Sequence, residues 1–215
     1  MSRTPRFCTT FATAALALVL AGAAFGGPME DLLRWGATRG LTQDIRGALA
    51  AGADPNIEME GGVTPLMAIA ATGNNEAIQL LLKAGARVNE DGNRGCTALT
   101  WAARNGWTES IDLLIDAGAE IDHRDIGGLT PLMRAAWNGQ LRAVNLLLAR
   151  GADPQLTDKS GLSALTYAMG AEQDQIVSVL LQRTNAGDLR ELDVEGSAKR
   201  LDVVPRTPCA QIPTS

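Results

Sequence analysis

Apolar positions along this chain come in paired blocks separated by polar turns. Between residues 62 and 86 the order is Gly62, Thr64-Pro65, the apolar run Leu66 to Ala70, then Gly73. A second stripe follows at Ile78, Leu81 and Leu82, and Gly85-Ala86 closes the block. Leu66, Ile69 and Ala70 share one helical face, as do the residues of the second stripe. Thr64 is placed to cap the first helix with its hydroxyl, and Pro65 sits where a missing N–H costs nothing. Gly73 can end the first helix in the left-handed conformation, and Gly85 ends the second. Arg87 to Gly95 is polar and turn-rich, which predicts an extended two-armed loop.

The block returns at a fixed interval. Its threonine or serine marks stand at 64, 97, 130 and 163, a period of 33 residues. Such a period signals a stacked array in which one unit is too small to bury its own apolar face. The predicted fold is therefore an all-α repeat solenoid of helix-turn-helix units with hairpin loops, about five units in all. Units 60–91, 92–124 and 125–157 are regular. Unit 27–59 has Asp31 to Ala37 where the Thr-Pro-Leu text belongs, followed by Gly40, the stripe Ile45, Ala48 and Leu49, and Gly52. It reads as a degenerate N-terminal cap, whose outer face should be more polar. Unit 158–186 keeps Ser163, Leu165 and the stripe Ile176, Val177, Leu180 and Leu181, but carries Glu172 where the others have glycine. It reads as an irregular C-terminal cap.

The text Gly-x-Thr-Pro-Leu-x-x-Ala-Ala, then Gly, a Leu-Leu pair and Gly-Ala-Asp, resembles the ankyrin repeat. The closing part reads Gly52-Ala53-Asp54-Pro55-Asn56, Gly85 to Asn89, Gly118 to Asp122 and Gly151 to Gln155. The resemblance covers roughly residues 29 to 184, and many positions agree at the fixed period. One departure is plain: the histidine many family members carry after Thr-Pro-Leu is replaced by Met67, Thr100, Met133 and Thr166. The resemblance implies that a hairpin hydrogen bond is lost with it. It also implies that partners dock on the hairpin tips and inner helices, which together make a concave face. By position, the tips contribute Glu58, Glu60 and Val63, then Asp91, Asn93 and Arg94, then Arg124, Ile126 and Leu129, then Lys159. The inner-helix ends contribute Thr72, Arg104, Asn105, Trp137 and Asn138. Trp137 is the strongest candidate anchor, because Trp and Arg dominate interface hot spots. The competing reading packs it on the neighbouring repeat. Trp101 and Tyr167 are expected in the core, and Trp107 as a surface staple.

The chain ends differ in character from the repeats. Arg3 and Arg6 precede an apolar run from Phe11 to Ala24, with small residues at Ala21, Ala23, Ala24 and Gly26. This is the signature of an export signal over 1–26 rather than a membrane span. Its compact form reads as bacterial, which places the mature protein in the periplasm. Residues 187–215 carry a charged stretch and then Pro205, Pro208 and Pro213, and are expected to be a mobile tail. Removing 1–26 takes away two arginines and no acid, so 19 basic and 24 acidic side chains become 17 and 24, a net charge of −7. An acidic chain argues against nucleic acid and against a basic membrane-surface helix.

Reactive groups are sparse. Without the signal, Cys96 and Cys209 remain; a disulfide between them is allowed in an oxidising compartment, the alternative being two unpaired thiols. His123, the one histidine, has no nucleophile context and reads as a solvated loop residue. Asp122, His123 and Asp125 occupy ordinary hairpin positions, so no metal is expected, and the glycines form no phosphate cradle. No cofactor or catalysis is expected. The expected function is a periplasmic protein–protein interaction module, a monomer, that holds or stabilises a partner through the concave face. The alternative is an inhibitor or immunity-type protein whose acidic tips block an exported enzyme.

Overall fold

The computed structural model describes residues 27–92 and 94–183. The expected signal, Asn93 and the expected tail lie outside the described residues. Ten α-helices follow one another among those residues: α1 Pro28–Arg39, α2 Thr42–Ala50, α3 Pro65–Thr72, α4 Asn75–Lys83, α5 Ala98–Asn105, α6 Thr108–Asp116, α7 Pro131–Trp137, α8 Leu141–Ala149, α9 Ala164–Gly170 and α10 Asp174–Arg183. Each odd-numbered helix packs on the even one after it. Odd helices also pack on odd and even on even along the chain, giving an inner and an outer layer.

Local chemistry starts and stops the inner helices. The hydroxyls of Thr64, Thr97, Thr130 and Ser163 accept the backbone N–H of Met67, Thr100, Met133 and Thr166 at 3.3–3.4 Å. Losing such a cap typically costs about 1 kcal/mol. The inner helices turn into the outer ones through Gly40, Gly73, Gly106 and Gly139, all with φ between 69° and 78°. Glu172 takes the fifth place with φ 56°. At Gly73 a side chain is excluded twice over, because the Trp107 ring lies 2.5 Å from where its Cβ would stand.

The core is continuous from Leu33 to Leu180. Alanines at 70, 103 and 136 are fully buried on the inner helices and let neighbours approach closely. Ile78, Leu81, Ile111, Leu114, Val144 and Leu147 form the buried stripe of the outer helices. Trp101 and Tyr167 are buried as expected.

Two side-chain ladders stitch each unit to the next. Asn56, Asn89 and Asp122 accept the backbone N–H of Arg87, Glu120 and Asp153 at 2.8, 2.9 and 3.1 Å. On the turn side, Asn74, Trp107 and Gln140 donate to the carbonyls of Gly40, Ala71 and Arg104. Those carbonyls have no partner within their own helix, so the next repeat supplies the cap. Trp107 is thus the staple that its position suggested. The loops close by bonds from the N–H of Met59, Gly92, Asp125 and Asp158 to the carbonyl four residues on, at 2.8–3.2 Å. No ladder of strands forms among the described residues, where the one isolated bridge joins Thr157 and Ser163.

Candidate functional site

Four loop tips make one edge of the stack. Glu58 and Glu60 are exposed on the first, Glu90 is half-buried and Asp91 exposed on the second, Arg124 and Ile126 are exposed on the third and Lys159 on the fourth. Arg94 is also exposed on the second tip. The edge therefore runs from acidic at the first tip to basic at the fourth. Backbone bonds join adjacent tips, from Ile126 N–H to the Arg94 carbonyl at 3.1 Å and from Lys159 N–H to the Gly127 carbonyl at 3.0 Å. Ile126 is 56% exposed, the most open large apolar side chain among the described residues.

Two tip residues expected on this surface are not there. Leu129 is 2% exposed and Val63 is 9% exposed. Each follows the turn and immediately precedes a capping threonine, so its side chain is directed under the hairpin into the core. Cys96 and Leu162 occupy the same position in their repeats and are buried too. Asn93 lies outside the described residues.

The inner-helix ends are mixed. Thr72, Asn105 and Asn138 are exposed, although each spends a hydrogen bond on a nearby carbonyl, of Ile69, Ala71 and Arg134 respectively. Arg104 is half-buried above the Trp101 ring. Burial, and then the nearby Arg134 charge, lower its pKa. Trp137 is half-buried, and its ring stacks on Tyr167 with centroids 5.1 Å apart. It therefore packs on the neighbouring repeat and presents only its remaining face to solvent.

Beneath the tips lie buried polar ties that the sequence reading missed. Arg134 and Asp125, both buried, form an ion pair. Asp125 Oδ1 also accepts the N–H of Gly127 and Leu129 at 2.8 and 2.9 Å. One repeat later, Asp158 Oδ1 accepts the N–H of Ser160 and Leu162, both at 2.8 Å, and Oδ2 accepts the Tyr167 hydroxyl at 2.6 Å. Burial first, then the Asp158 hydrogen bond and charge, push the Tyr167 phenol well above its ordinary pKa. The available signal was an Asp followed nine residues later by a donor, occurring twice at the repeat period. These ties join hairpin to inner helix one position after the place of the family's missing histidine. The residues at that place, Met133 and Thr166, hydrogen-bond with their own caps, Thr130 and Ser163.

His123 is likewise not a solvated loop residue. Its side chain is 14% exposed, with Nε2 at 2.8 Å from Asp91 and Nδ1 at 3.4 Å from Glu120. Nε2 also lies 3.1 Å from the Gly95 carbonyl, so the ring bridges the second and third hairpins. No group of three or more His, Cys, Asp or Glu is arranged to hold a metal among the described residues. Cys96 is disulfide-bonded, so the alternative in which it stays an unpaired thiol does not hold. Its partner lies outside the described residues.

The sequence matches the family described as Ankyrin repeats (3 copies) over residues 33–125, 76–158 and 132–198, most of the chain. A search of the curated proteins gives no match.

Proposed function

Because the chain belongs to the ankyrin-repeat family, we propose that it is an exported, periplasmic binding protein with no chemistry of its own, which holds or stabilises a partner protein. Ankyrin repeats are as a rule non-catalytic protein-binding scaffolds. The finer reading places the partner on the loop tips and the exposed inner-helix ends. The observation that carries it is the graded edge: carboxylates alone at Glu58 and Glu60 on the first tip, Asp91 with Arg94 on the second, Arg124 with the open Ile126 on the third, and Lys159 on the fourth. An edge with opposite charges at its two ends fixes the direction in which a complementary surface docks. The apolar side chain between them supplies a contact that excludes water.

Export is supported by the basic start and short apolar run of residues 1–26. Cell fractionation tests it directly: recovery of the processed protein in the periplasm is expected, and full-length protein in the cytosol overturns it. For the binding face, the exported protein is used as bait in periplasmic extract. A Glu58→Lys/Glu60→Lys/Ile126→Asp variant is compared with a control changed only on the outer helices, at the exposed Gln79 and Asn145. The edge variant should lose about tenfold or more of the capture, as loss of central interface contacts commonly does, while the control keeps it. Equal capture by both variants contradicts the assignment.

A further inference from the structure

One rung of the side-chain ladder between repeats differs from the others. Asn56 and Asn89 each make two bonds to the repeat that follows. Their oxygens accept the N–H of Arg87 and Glu120 at 2.8 and 2.9 Å. Their amide nitrogens donate to the carbonyls of Gly85 and Gly118 at 3.2 and 3.0 Å. The third rung is Asp122, which accepts the N–H of Asp153 with both oxygens, at 3.1 and 3.3 Å. The glycine that corresponds to Gly85 and Gly118 in the next repeat is Gly151. The three glycines share one backbone conformation, with φ of 91°, 91° and 97°. An ionised carboxylate only accepts, so Asp122 in that form cannot donate to the Gly151 carbonyl as an asparagine would. A protonated carboxyl has one O–H and recovers the missing donor. We propose that the joint between the third and fourth hairpins is a pH-sensitive latch, in which a protonated Asp122 donates to the Gly151 carbonyl and completes the rung.

The surroundings favour that proton. Asp122 is half-buried, and this burial is the largest influence on its carboxyl, raising the pKa. The Asp153 N–H it accepts and the Arg124 charge lower it, the Asp153 charge raises it, and the net direction is upward. Other charged groups nearby along the chain are engaged elsewhere. The His123 ring is directed to Asp91 and Glu120, and Asp125 pairs with Arg134. Arg150, beside Gly151, pairs with Asp112 and Asp116. Because the folded value lies above the unfolded 3.8, the stabilisation is fully present below 3.8. It is lost as pH rises through the folded value. At neutral pH this joint therefore has one bond fewer than the two before it.

The rung ties the hairpin of Arg124 and Ile126 to the hairpin of Lys159. Its closure sets how firmly the basic end of the edge is held, a consequence that rests on the proposed binding face. The latch itself does not depend on that reading.

Asp122→Asn supplies the amide at every pH, and Asn56 and Asn89 show that the residue fits. Wild type and variant are compared by denaturant titration of the same chain. At about pH 7 the variant's unfolding constant should be about fivefold smaller, as one added hydrogen bond allows. At about pH 3, where the wild-type carboxyl is protonated, the two should agree within about twofold. No difference at neutral pH, or one that persists unchanged in acid, overturns the latch. Carbon NMR of the Asp122 carboxyl gives a second reading in the folded protein. A titration midpoint above 3.8 is expected, and one at or below it also overturns the proposal. Neither measurement needs a partner, so failure of the binding face leaves both interpretable.

Discussion

The first two hairpins and the last two are fastened to the stack by different chemistry. At the loop base the chain carries Met59 and Gly92 in the first pair, and Asp125 and Asp158 in the second. Nine residues on, the inner helix answers with Ala68 and Trp101, then with Arg134 and Tyr167. The first hairpin is held by buried Ile57, Met59 and Val63, and the second carries the oxidised Cys96. The third and fourth are held by buried carboxylates, each of which organises two loop amides and accepts from one inner-helix donor. One backbone shape is thus reached by apolar burial at one end and by directional polar bonds at the other. Apolar contacts tolerate small sliding. A carboxylate bound to three donors does not, and a buried one becomes costly when its partner is removed.

The largest effect should follow from breaking the ion pair. Arg134→Leu leaves Asp125 charged in the core, and should destabilise the fold by about 3–5 kcal/mol in a denaturant titration. The double variant Asp125→Asn/Arg134→Leu keeps an oxygen for the Gly127 and Leu129 amides and should recover much of that loss. No recovery would show that the pair is not acting as a unit. Trp137→Ala comes next. Stacking on Tyr167 makes a stability loss of about 2 kcal/mol the expected result for this half-buried ring. Binding by this variant must therefore be compared well below its melting temperature.

Tyr167→Phe should cost about 1–2 kcal/mol, because the Asp158 carboxylate loses a donor. Its pH signature separates it from simple loss of packing. The phenol's folded pKa lies above its unfolded value of 10.0. The neutral form is thus favoured by folding, and its stabilising contribution is fully present below the unfolded value. That contribution is lost as pH rises through the folded value. Wild type should lose stability on this alkaline limb more steeply than the Phe variant, and parallel profiles would refute the tie. The smallest effect is a gain. Glu172→Gly relieves a left-handed φ of 56°, and a melting curve should show stabilisation of about 0.5–1 kcal/mol after the added freedom of the unfolded chain is counted.

Period and caps were legible in the sequence because each rests on chemistry local to one repeat. Thr64, Thr97, Thr130 and Ser163 act on amides three residues away, and the glycines act on their own φ. The substitution of Glu172 for glycine was visible; its strained conformation follows from the turn the other repeats impose. The buried ties were not legible. An Asp in a polar loop reads as solvated until the fold brings Arg134 or Tyr167 above it. Leu129 and Val63 were misplaced for the same reason: hairpin membership gives a residue's position, but the turn before it decides which way the side chain points. His123 looked solvated because its partners Asp91 and the Gly95 carbonyl belong to the preceding repeat. Of the candidate edge, the charged tips were readable, and the stacking that half-buries Trp137 required the neighbouring repeat.

The unequal fastening of the two hairpin pairs can be measured amide by amide with native-state hydrogen exchange. The N–H groups of Gly127, Leu129, Ser160 and Leu162 are bound to buried carboxylates. Their counterparts at Gly61 and Val63 have no such acceptor at the loop base, where Met59 stands. The account predicts slower exchange at the four carboxylate-bound amides by about tenfold or more, equivalent to roughly 1.4 kcal/mol of extra local stability. Equal protection in the first and the later hairpins would contradict it.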